Sequence, residues 1–362
     1  MTVDGAIRAA AEQFAVNGTF LDAIPWGNGH IHDTYRVEFV TGSSREHRVL
    51  QRINTHVFPR VPELMENVAR VTAHMEKCAA QEPDRARRVS RLIPAPDGGA
   101  WIRDAQGACW RMFGFIEGAR SVDRVESADQ CFRVARAFGE FQRQLTTLPG
   151  QRLHDTIPDF HHTPRRFAAL ERAIAGNVCG RASSAKAEIE FALMRKPITG
   201  ALQDAGMPER ITHNDTKINN VLLDQQSGEA LCVIDLDTTM PGLALYDFGD
   251  MVRTATSPAA EDERDLEKVF LRIDYYQALV EGYLSSAGAF LTGRERELMA
   301  LSGKLIAFEI GIRFLADYLN GDTYFKVHRE GHNLDRCRTQ FRLVASIESL
   351  EHRMSRVAAQ PA

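Results

Sequence analysis

The sequence predicts an α+β protein with two lobes, a small strand-rich lobe followed by a larger helical one. Short apolar and β-branched runs at residues 36–40 and 48–53, separated by turn residues, are typical of strands. After residue 118 apolar residues recur at helical spacing. A strand-like pair at residues 220–224 and 230–236 interrupts those helices. At 362 residues, 44% of them hydrophobic, the chain is long enough for two domains.

The order of elements gives the domain boundaries. One helix is expected in the small lobe at 61–78, and further strands should extend to about residue 115 around a turn at 97–99. The large lobe should contain helices at 128–145, 183–194, 262–284, 295–320 and 335–354. We therefore expect an N-terminal lobe at 1–113, a hinge at 114–118 and a C-terminal lobe at 119–362.

Composition excludes several classes of protein. The formal charge of -4 and pI near 6.3 give no basic field for nucleic acid. The six cysteines are scattered, without the spacing of a zinc site, and we expect them to be reduced. No export signal or membrane-spanning apolar run is evident, so we expect a cytoplasmic protein without a membrane partner. Oligomeric state is not predictable from these features.

The most informative stretch runs from Ile211 to Asp237. Asp215 lies in a loop, Asn220 follows five residues later, and Asp235 ends the next apolar strand. Phosphoryl transfer requires alignment, metal-borne charge and a group that accepts the proton of the attacking hydroxyl. Asp215 suits the base, while Asn220 and Asp235 offer the hard oxygen ligands that Mg²⁺ prefers. The pattern predicts a kinase that uses ATP and Mg²⁺.

Three neighbouring residues are interpreted as structural. His213 is expected to hydrogen-bond within the loop. Asp237 fits either a ligand role or simple solvation of the strand end, and the second is favoured. The string Asp247-Phe-Gly matches a metal-binding motif, but Asp235 already occupies the position of the metal ligand. Asp247 is therefore interpreted as a helix cap that supports the loop.

The nucleotide site is predicted from weaker signals. Gly27 and Gly29 lie between two strands, where backbone amides can approach phosphates, although a plain hairpin turn explains them equally well. Arg52 is a candidate phosphate-binding cation with Glu66 as its helical partner, the alternative being a surface arginine on an edge strand. In the hinge, the backbone of Gly114 and Ile116 is a candidate adenine contact. The Walker A pattern is absent from the sequence.

The H-x-D-x-x-x-x-N pattern followed by Ile234-Asp235 resembles the aminoglycoside phosphotransferase and choline kinase superfamily, which implies a protein-kinase-like fold. Longer strings, among them residues 29–35, 213–224 and 308–318, resemble N-acetylhexosamine 1-kinases. That resemblance implies that Asp215 acts on the anomeric hydroxyl of a sugar. It also implies a sugar site lined by four residues, namely Ile31, Thr238, Arg313 and Tyr324. Relatives carry an aromatic residue where this chain has Thr254, which implies a wider pocket.

Other interpretations remain open at this stage. Glu309, Arg313 and Asp317 are spaced four apart, which is also the pattern of a surface ion-pair ladder. The acceptor is alternatively another small alcohol, such as an aminoglycoside or a choline-like compound, and an acidic acceptor site would favour a cationic one. A non-catalytic nucleotide-binding regulator is a further alternative, which retention of the base and both metal ligands disfavours.

Overall fold

The computed structural model describes residues 3–27 and 31–360. Its N-terminal part is an antiparallel sheet with strand order β1-β2-β3-β6-β4, in which β5 also pairs with β6. The strands are β1 (Thr19–Pro25), β2 (Asp33–Thr41), β3 (Ser44–Arg52), β4 (Leu92–Ile93), β5 (Ile102–Arg103) and β6 (Cys109–Gly114). Two helices accompany them, α1 (Val3–Ala11) and α2 (Val61–Cys78).

The two faces of this sheet bury different side chains because successive residues of a strand point to opposite faces. Leu50 and Met112 pack with α1 in one apolar cluster. On the other face, Phe113 packs with α2. Gln51 pairs with Arg111 in the β3–β6 register, on the face that is turned toward the helical part of the chain.

The remainder of the chain is mainly helical. Its helices are α3 (Ala128–Leu145), α4 (Thr163–Gly176), α5 (Lys186–Met194), α6 (Ala244–Ala255), α7 (Ile273–Ala287), α8 (Gly293–Glu297), α9 (Met299–Leu319) and α10 (His332–Ala358). Short strands lie between them: β7 (Ala119–Arg120), β8 (Arg210–Thr212), β9 (Val221–Asp224), β10 (Ala230–Val233) and β11 (Met240–Gly242). Buried aromatic residues such as Phe138, Phe248, Tyr283 and Phe308 form the core beneath the β9–β10 hairpin.

The predicted α+β class with a sheet lobe and a larger helical region is confirmed. Helices α2 and α3 have the predicted bounds, whereas α4 was not anticipated. The predicted helix 295–320 is two helices, α8 and α9, because Leu298 leaves helical geometry between them.

The predicted start of α7 at residue 262 is wrong by eleven residues. Side chains of α10 hydrogen-bond to the backbone of residues 263–271, which is not α-helical and contains a three-residue 3₁₀ turn at Leu266–Lys268. Thr339 donates to the carbonyl of Glu263 at 3.0 Å, and Ser346 accepts from the amide of Leu271 at 2.9 Å. Tertiary hydrogen bonds thus override the helical propensity of this charged segment. Among the described residues, no helix has the length and apolar character required to span a membrane.

Candidate active site

The catalytic loop, residues 213–220, connects β8 to β9, and Asp235 follows the end of β10. Two non-glycine residues here have left-handed backbone conformations, Asn214 with φ +65° and Asp235 with φ +62°. Such residues are uncommon and concentrate where a site imposes them. An uncommon backbone conformation thus occurs directly before the predicted base, Asp215, and at the predicted metal ligand, Asp235.

Asp247 fixes the catalytic loop from below. Its carboxylate is fully buried and accepts hydrogen bonds from the backbone amides of His213 at 2.9 Å and Asn214 at 2.7 Å. Gln142 donates to the same carboxylate at 2.6 Å. Asp247 is not the helix cap that was predicted, because α6 begins at Ala244 and its N-cap is Leu243. It supports the loop from the first turn of the helix instead.

The ring of His213 also braces the loop. Its Nε2 donates to the carbonyl of Ile234 at 2.9 Å, and its Nδ1 accepts from the amide of Asp215 at 3.3 Å. Since one ring nitrogen donates and the other accepts, His213 is a neutral tautomer. It connects the loop to the strand that precedes Asp235.

Asp215 projects into the cleft with about 20% of its side chain exposed. Lys217 lies beside it, with Nζ 3.0 Å from its Oδ1, and Asn220 Nδ2 donates to its backbone carbonyl at 2.8 Å. Burial alone would raise the pKa of Asp215, but the positive charges of Lys217 and Arg253 hold it below its usual value. The carboxylate is therefore ionised at neutral pH and available as a proton acceptor.

Asp235 and Asn220 fit a magnesium ion by the chemistry of their donors. Desolvation in the cleft and the negative charges of Asp237 and Asp215 raise the pKa of Asp235 to about 6. Within residues 3–27 and 31–360, no three His, Cys, Asp or Glu side chains form a complete metal cluster. A carboxylate plus an amide oxygen is the partial set that Mg²⁺ complements with water and phosphate oxygens.

The carboxylate of Asp237 accepts hydrogen bonds from two side chains in the N-terminal part of the chain. Arg111 on β6 donates to it from both terminal nitrogens, one at 2.7 Å, and Nε2 of His32 donates at 2.7 Å. All three side chains are almost completely buried. Burial alone would raise the pKa of Asp237, but these partners lower it strongly. The network joins the sheet to the segment that follows Asp235.

The predicted pair of Arg52 and Glu66 is not formed. Arg52 is 53% exposed and lies 3.7 Å from Asp33, whereas Glu66 contacts His154 at 2.9 Å. The physical reason is strand alternation: Gln51, not Arg52, faces the cleft and lies beside the buried Arg111. The register of β3 thus excludes Arg52 from the position for which it was predicted.

The structure describes three of the four remaining candidate nucleotide contacts, namely Gly27, Gly114 and Ile116. Gly27 has a φ of +78°, which favours glycine, and Gly29 lies outside the described residues. The amide of Gly114 donates to the carbonyl of Arg91 at 2.8 Å. The side chain of Ile116 packs on Leu231. The adenine contact at the hinge stays a prediction.

A cavity of about 580 Å³ opens beside Asp215 and extends between α6 and α10. Its charged lining residues balance in sign. The acids are Asp123, Asp215, Asp235 and Glu261, and the cations are Arg124, Lys217, Arg253 and Arg336. Apolar residues on the wall include Val125, Ile218, Val269 and Leu343. The cavity offers polar and apolar contacts but no excess of negative charge.

Of the predicted sugar-site residues, Ile31 lines this cavity and so does Thr254. Thr238 is buried, and its hydroxyl donates to the carbonyl of His213 at 2.7 Å. The guanidinium of Arg313 lies over Phe160, 5.1 Å from the ring centroid, and Tyr324 is exposed. Neither Arg313 nor Tyr324 is part of the described cavity wall, and their role in sugar binding stays a prediction.

Comparison with known proteins agrees with this geometry. The APH family, described as a phosphotransferase enzyme family, matches residues 22–291, which include the catalytic loop, Asp235 and Asp247. The chain belongs to this family. The phosphotransferase is also similar in fold to solved structures that share 10% to 16% sequence identity with it.

Three of these structures illustrate the likeness. An aminoglycoside phosphotransferase from Alicyclobacillus acidocaldarius has a TM-score of 0.61 at 11% identity, with 96% of each chain covered. A microcompartment-associated aminopropanol kinase has a TM-score of 0.55 at 16% identity, covering 97% of this chain and 98% of its own. A choline kinase from Cryptosporidium parvum has a TM-score of 0.53 at 13% identity, covering 97% and 96%.

Several residues at the site were missed by the sequence analysis. Arg111 interrupts the apolar strand Cys-Trp-Arg-Met-Phe, and a charged residue inside a buried strand indicates a buried partner. Lys217 follows Asp215 by two residues within the motif itself. Arg253 follows the Asp247 string closely, yet its position beside the cavity depends on the direction of α6 and carries no local sequence signal.

Proposed function

We propose that this phosphotransferase transfers the γ-phosphoryl group of ATP to a hydroxyl of a sugar, and that the hydroxyl is the anomeric one. The observation that carries the proposal is the ionised carboxylate of Asp215 at the mouth of a cavity with balanced charge. An acceptor that carries several positive charges would call for a wall with excess acid. Balanced polar groups beside an apolar wall suit a neutral, hydroxyl-rich ring.

In the proposed reaction, Asp215 accepts the proton as the acceptor oxygen bonds to the γ-phosphorus. The bond between that phosphorus and the β–γ bridging oxygen breaks, and ADP leaves. Asn220 and Asp235 would hold Mg²⁺, which neutralises charge on the phosphates when bound. Lys217, 3.0 Å from Asp215, keeps the carboxylate ionised and positions a cation near the transferred group.

Names of the structural neighbours support a small alcohol as acceptor in general, since they include aminopropanol, choline and spectinomycin enzymes. The finer assignment to an N-acetylhexosamine rests on the resemblance of the strings around Asp215 and Arg313. Nucleotide use is supported by the neighbours that contain ADP or AMP.

A pair of acceptor analogues tests the proposal. ATP consumption is measured with a free sugar, its methyl glycoside and its 6-deoxy analogue, each at matched concentration. We expect turnover with the free and 6-deoxy sugars and none with the glycoside, because the glycoside lacks the C1 hydroxyl. Turnover of the glycoside without turnover of the 6-deoxy sugar would assign the reaction to C6. Turnover only with cationic alcohols would refute a sugar acceptor.

A further inference from the structure

Residues around the start of β2 form part of the wall of the active-site cavity. Ile31, His32 and Thr34 line the same cavity as Asp235. His32 also contacts the far part of the chain, because its ring lies 2.7 Å from the carboxylate of Asp237, 205 residues later in sequence. A hydrogen bond therefore joins the wall supplied by β2 to the segment that follows Asp235.

The imidazole of His32 has a defined tautomer and orientation. Its Nδ1 lies 3.0 Å from the backbone amide of Asn54, and because an amide N–H only donates, Nδ1 accepts. The ring proton is therefore on Nε2, which donates to Oδ2 of Asp237. The ring also stacks on Phe58 with 5.6 Å between centroids, and the side chain is 5% exposed. Contacts at both nitrogens and on one face thus aim Nε2 at Asp237.

Asp237 belongs to the turn that carries the predicted metal ligand. It lies in a 3₁₀ turn, Leu236–Thr238, that begins directly after Asp235. Arg111 donates to both of its carboxylate oxygens, and His32 shares one of them. Its backbone carbonyl accepts a hydrogen bond from the hydroxyl of Thr156 at 2.8 Å. The carboxylate of Asp237 therefore anchors this turn to the N-terminal part of the chain.

The direction of the Asp235 side chain depends on the same turn. Within residues 3–27 and 31–360, no side chain or amide hydrogen-bonds to the Asp235 carboxylate. Its backbone has φ +62° and ψ +60°, a left-handed conformation that is uncommon in residues other than glycine. The backbone of the turn, and not a contact of the carboxylate itself, therefore sets where Asp235 points.

We propose that His32 is a positioning residue of the metal site, and that its hydrogen bond to Asp237 fixes the turn that presents Asp235 to Mg²⁺. The inference rests on the proposed phosphotransferase function, in which Asp235 and Asn220 hold the ion. Removing residues that orient metal ligands typically weakens metal affinity or activity about 10- to 100-fold. Because His32 acts through Asp237, we expect an effect of about 10-fold, at the lower end of that range.

Two substitutions separate the two hydrogen bonds of the ring. Asparagine places its polar atoms near the position of Nδ1, whereas glutamine reaches the position of Nε2. His32→Asn therefore keeps an acceptor for the amide of Asn54 and removes the donor to Asp237, and His32→Gln does the reverse. His74→Asn is the matched control, because His74 on α2 donates from Nε2 to the carbonyl of Gln144 at 2.9 Å and does not line the cavity.

The binding of ADP, measured by calorimetry with excess Mg²⁺ and again with EDTA, provides a readout that does not depend on turnover. In His32→Asn we expect the gain in ADP affinity from Mg²⁺ to fall about 10-fold, with the affinity in EDTA unchanged. The Mg²⁺ concentration for half-maximal ATP turnover should rise by a similar factor. His32→Gln should remain close to wild type in both measurements, and so should His74→Asn. Melting temperatures of all three variants report any general loss of stability.

An unchanged Mg²⁺ response in His32→Asn would overturn the proposal. Equal changes in His32→Asn and His32→Gln would also overturn it, because they would assign the effect to the Asn54 contact or to packing. If Asp235→Ala loses the Mg²⁺ response while His32→Asn retains it, only this inference fails. If wild-type protein transfers phosphate without any dependence on Mg²⁺, the metal assignment fails together with the role of His32. Absence of phosphotransfer by the wild type to every alcohol tested would refute the proposed function itself.

Discussion

Replacing Arg111 with methionine should destabilise the protein far more than the same change at Arg52. The guanidinium of Arg111 is buried, donates twice to Asp237 and donates once to Gln51 at 2.9 Å. Its removal leaves the Asp237 carboxylate buried, with His32 as the one remaining side-chain donor among residues 3–27 and 31–360. Breaking a buried ion pair by removing one partner costs about 3–5 kcal/mol.

Arg52 is the matched control because it is an arginine on the strand beside β6. It is 53% exposed, and its guanidinium lies 3.7 Å from the carboxylate of Asp33. Surface substitutions of this kind change the free energy of unfolding by about 0.5 kcal/mol or less. Urea denaturation of Arg111→Met and Arg52→Met, each compared with wild type, measures both values directly.

A double-mutant cycle measures the interaction energy between Arg111 and Asp237. Arg111→Met combined with Asp237→Asn should lose less stability than the sum of the single variants, with a coupling of about 1–3 kcal/mol. Equal destabilisation by the two arginine variants, or a coupling near zero, would refute the assignment of Arg111 as the buried partner of Asp237.

Three further outcomes are expected. Asp235→Ala should weaken Mg²⁺-dependent ATP turnover severely, and an unchanged Mg²⁺ titration would exclude it as a ligand. Asp247→Asn should lower the melting temperature with an unchanged Mg²⁺ dependence, because it supports loop amides; a shifted dependence at constant stability would make it a ligand. His161 should make the free energy of unfolding depend on pH. Its ring donates to Glu309 at 2.8 Å and to the carbonyl of Asn214 at 2.9 Å, which requires both ring protons. Burial alone would lower its pKa, but Glu309 raises it above 6.5. Its stabilisation is therefore complete below pH 6.5 and is lost as pH rises through the folded pKa, a loss that urea denaturation should detect and His161→Gln should abolish.

The parts of the fold that local pattern determines were predicted well. Helix α2 has its predicted bounds because its apolar residues repeat at helical spacing and Pro62 occupies its first turn. Asp215, Asn220 and Asp235 were predicted from their spacing to share one site, and all three side chains line the same cavity. Errors arose where contacts distant in sequence determine the backbone conformation. At residues 262–272, side chains of α10 supply the hydrogen bonds that keep the segment out of α7.

Distant contacts also explain why the sequence analysis selected Arg52, and not Arg111, as the arginine of the cleft. Arg52 does not face the cleft, because strand alternation turns Gln51 toward it instead, and the residues around Arg52 do not indicate which face of β3 packs toward the helical part of the chain. The role of Asp237 likewise depends on partners 126 and 205 residues away in sequence.

The most direct test of the central claim is the turnover of Asp215→Asn at saturating acceptor and Mg²⁺·ATP, with nucleotide affinity measured in parallel. Asparagine retains the shape of the side chain but does not accept the hydroxyl proton. We expect turnover to fall by about 10²- to 10⁴-fold while nucleotide affinity and melting temperature remain close to wild type. Turnover near the wild-type value would remove Asp215 from the reaction and contradict the proposed mechanism.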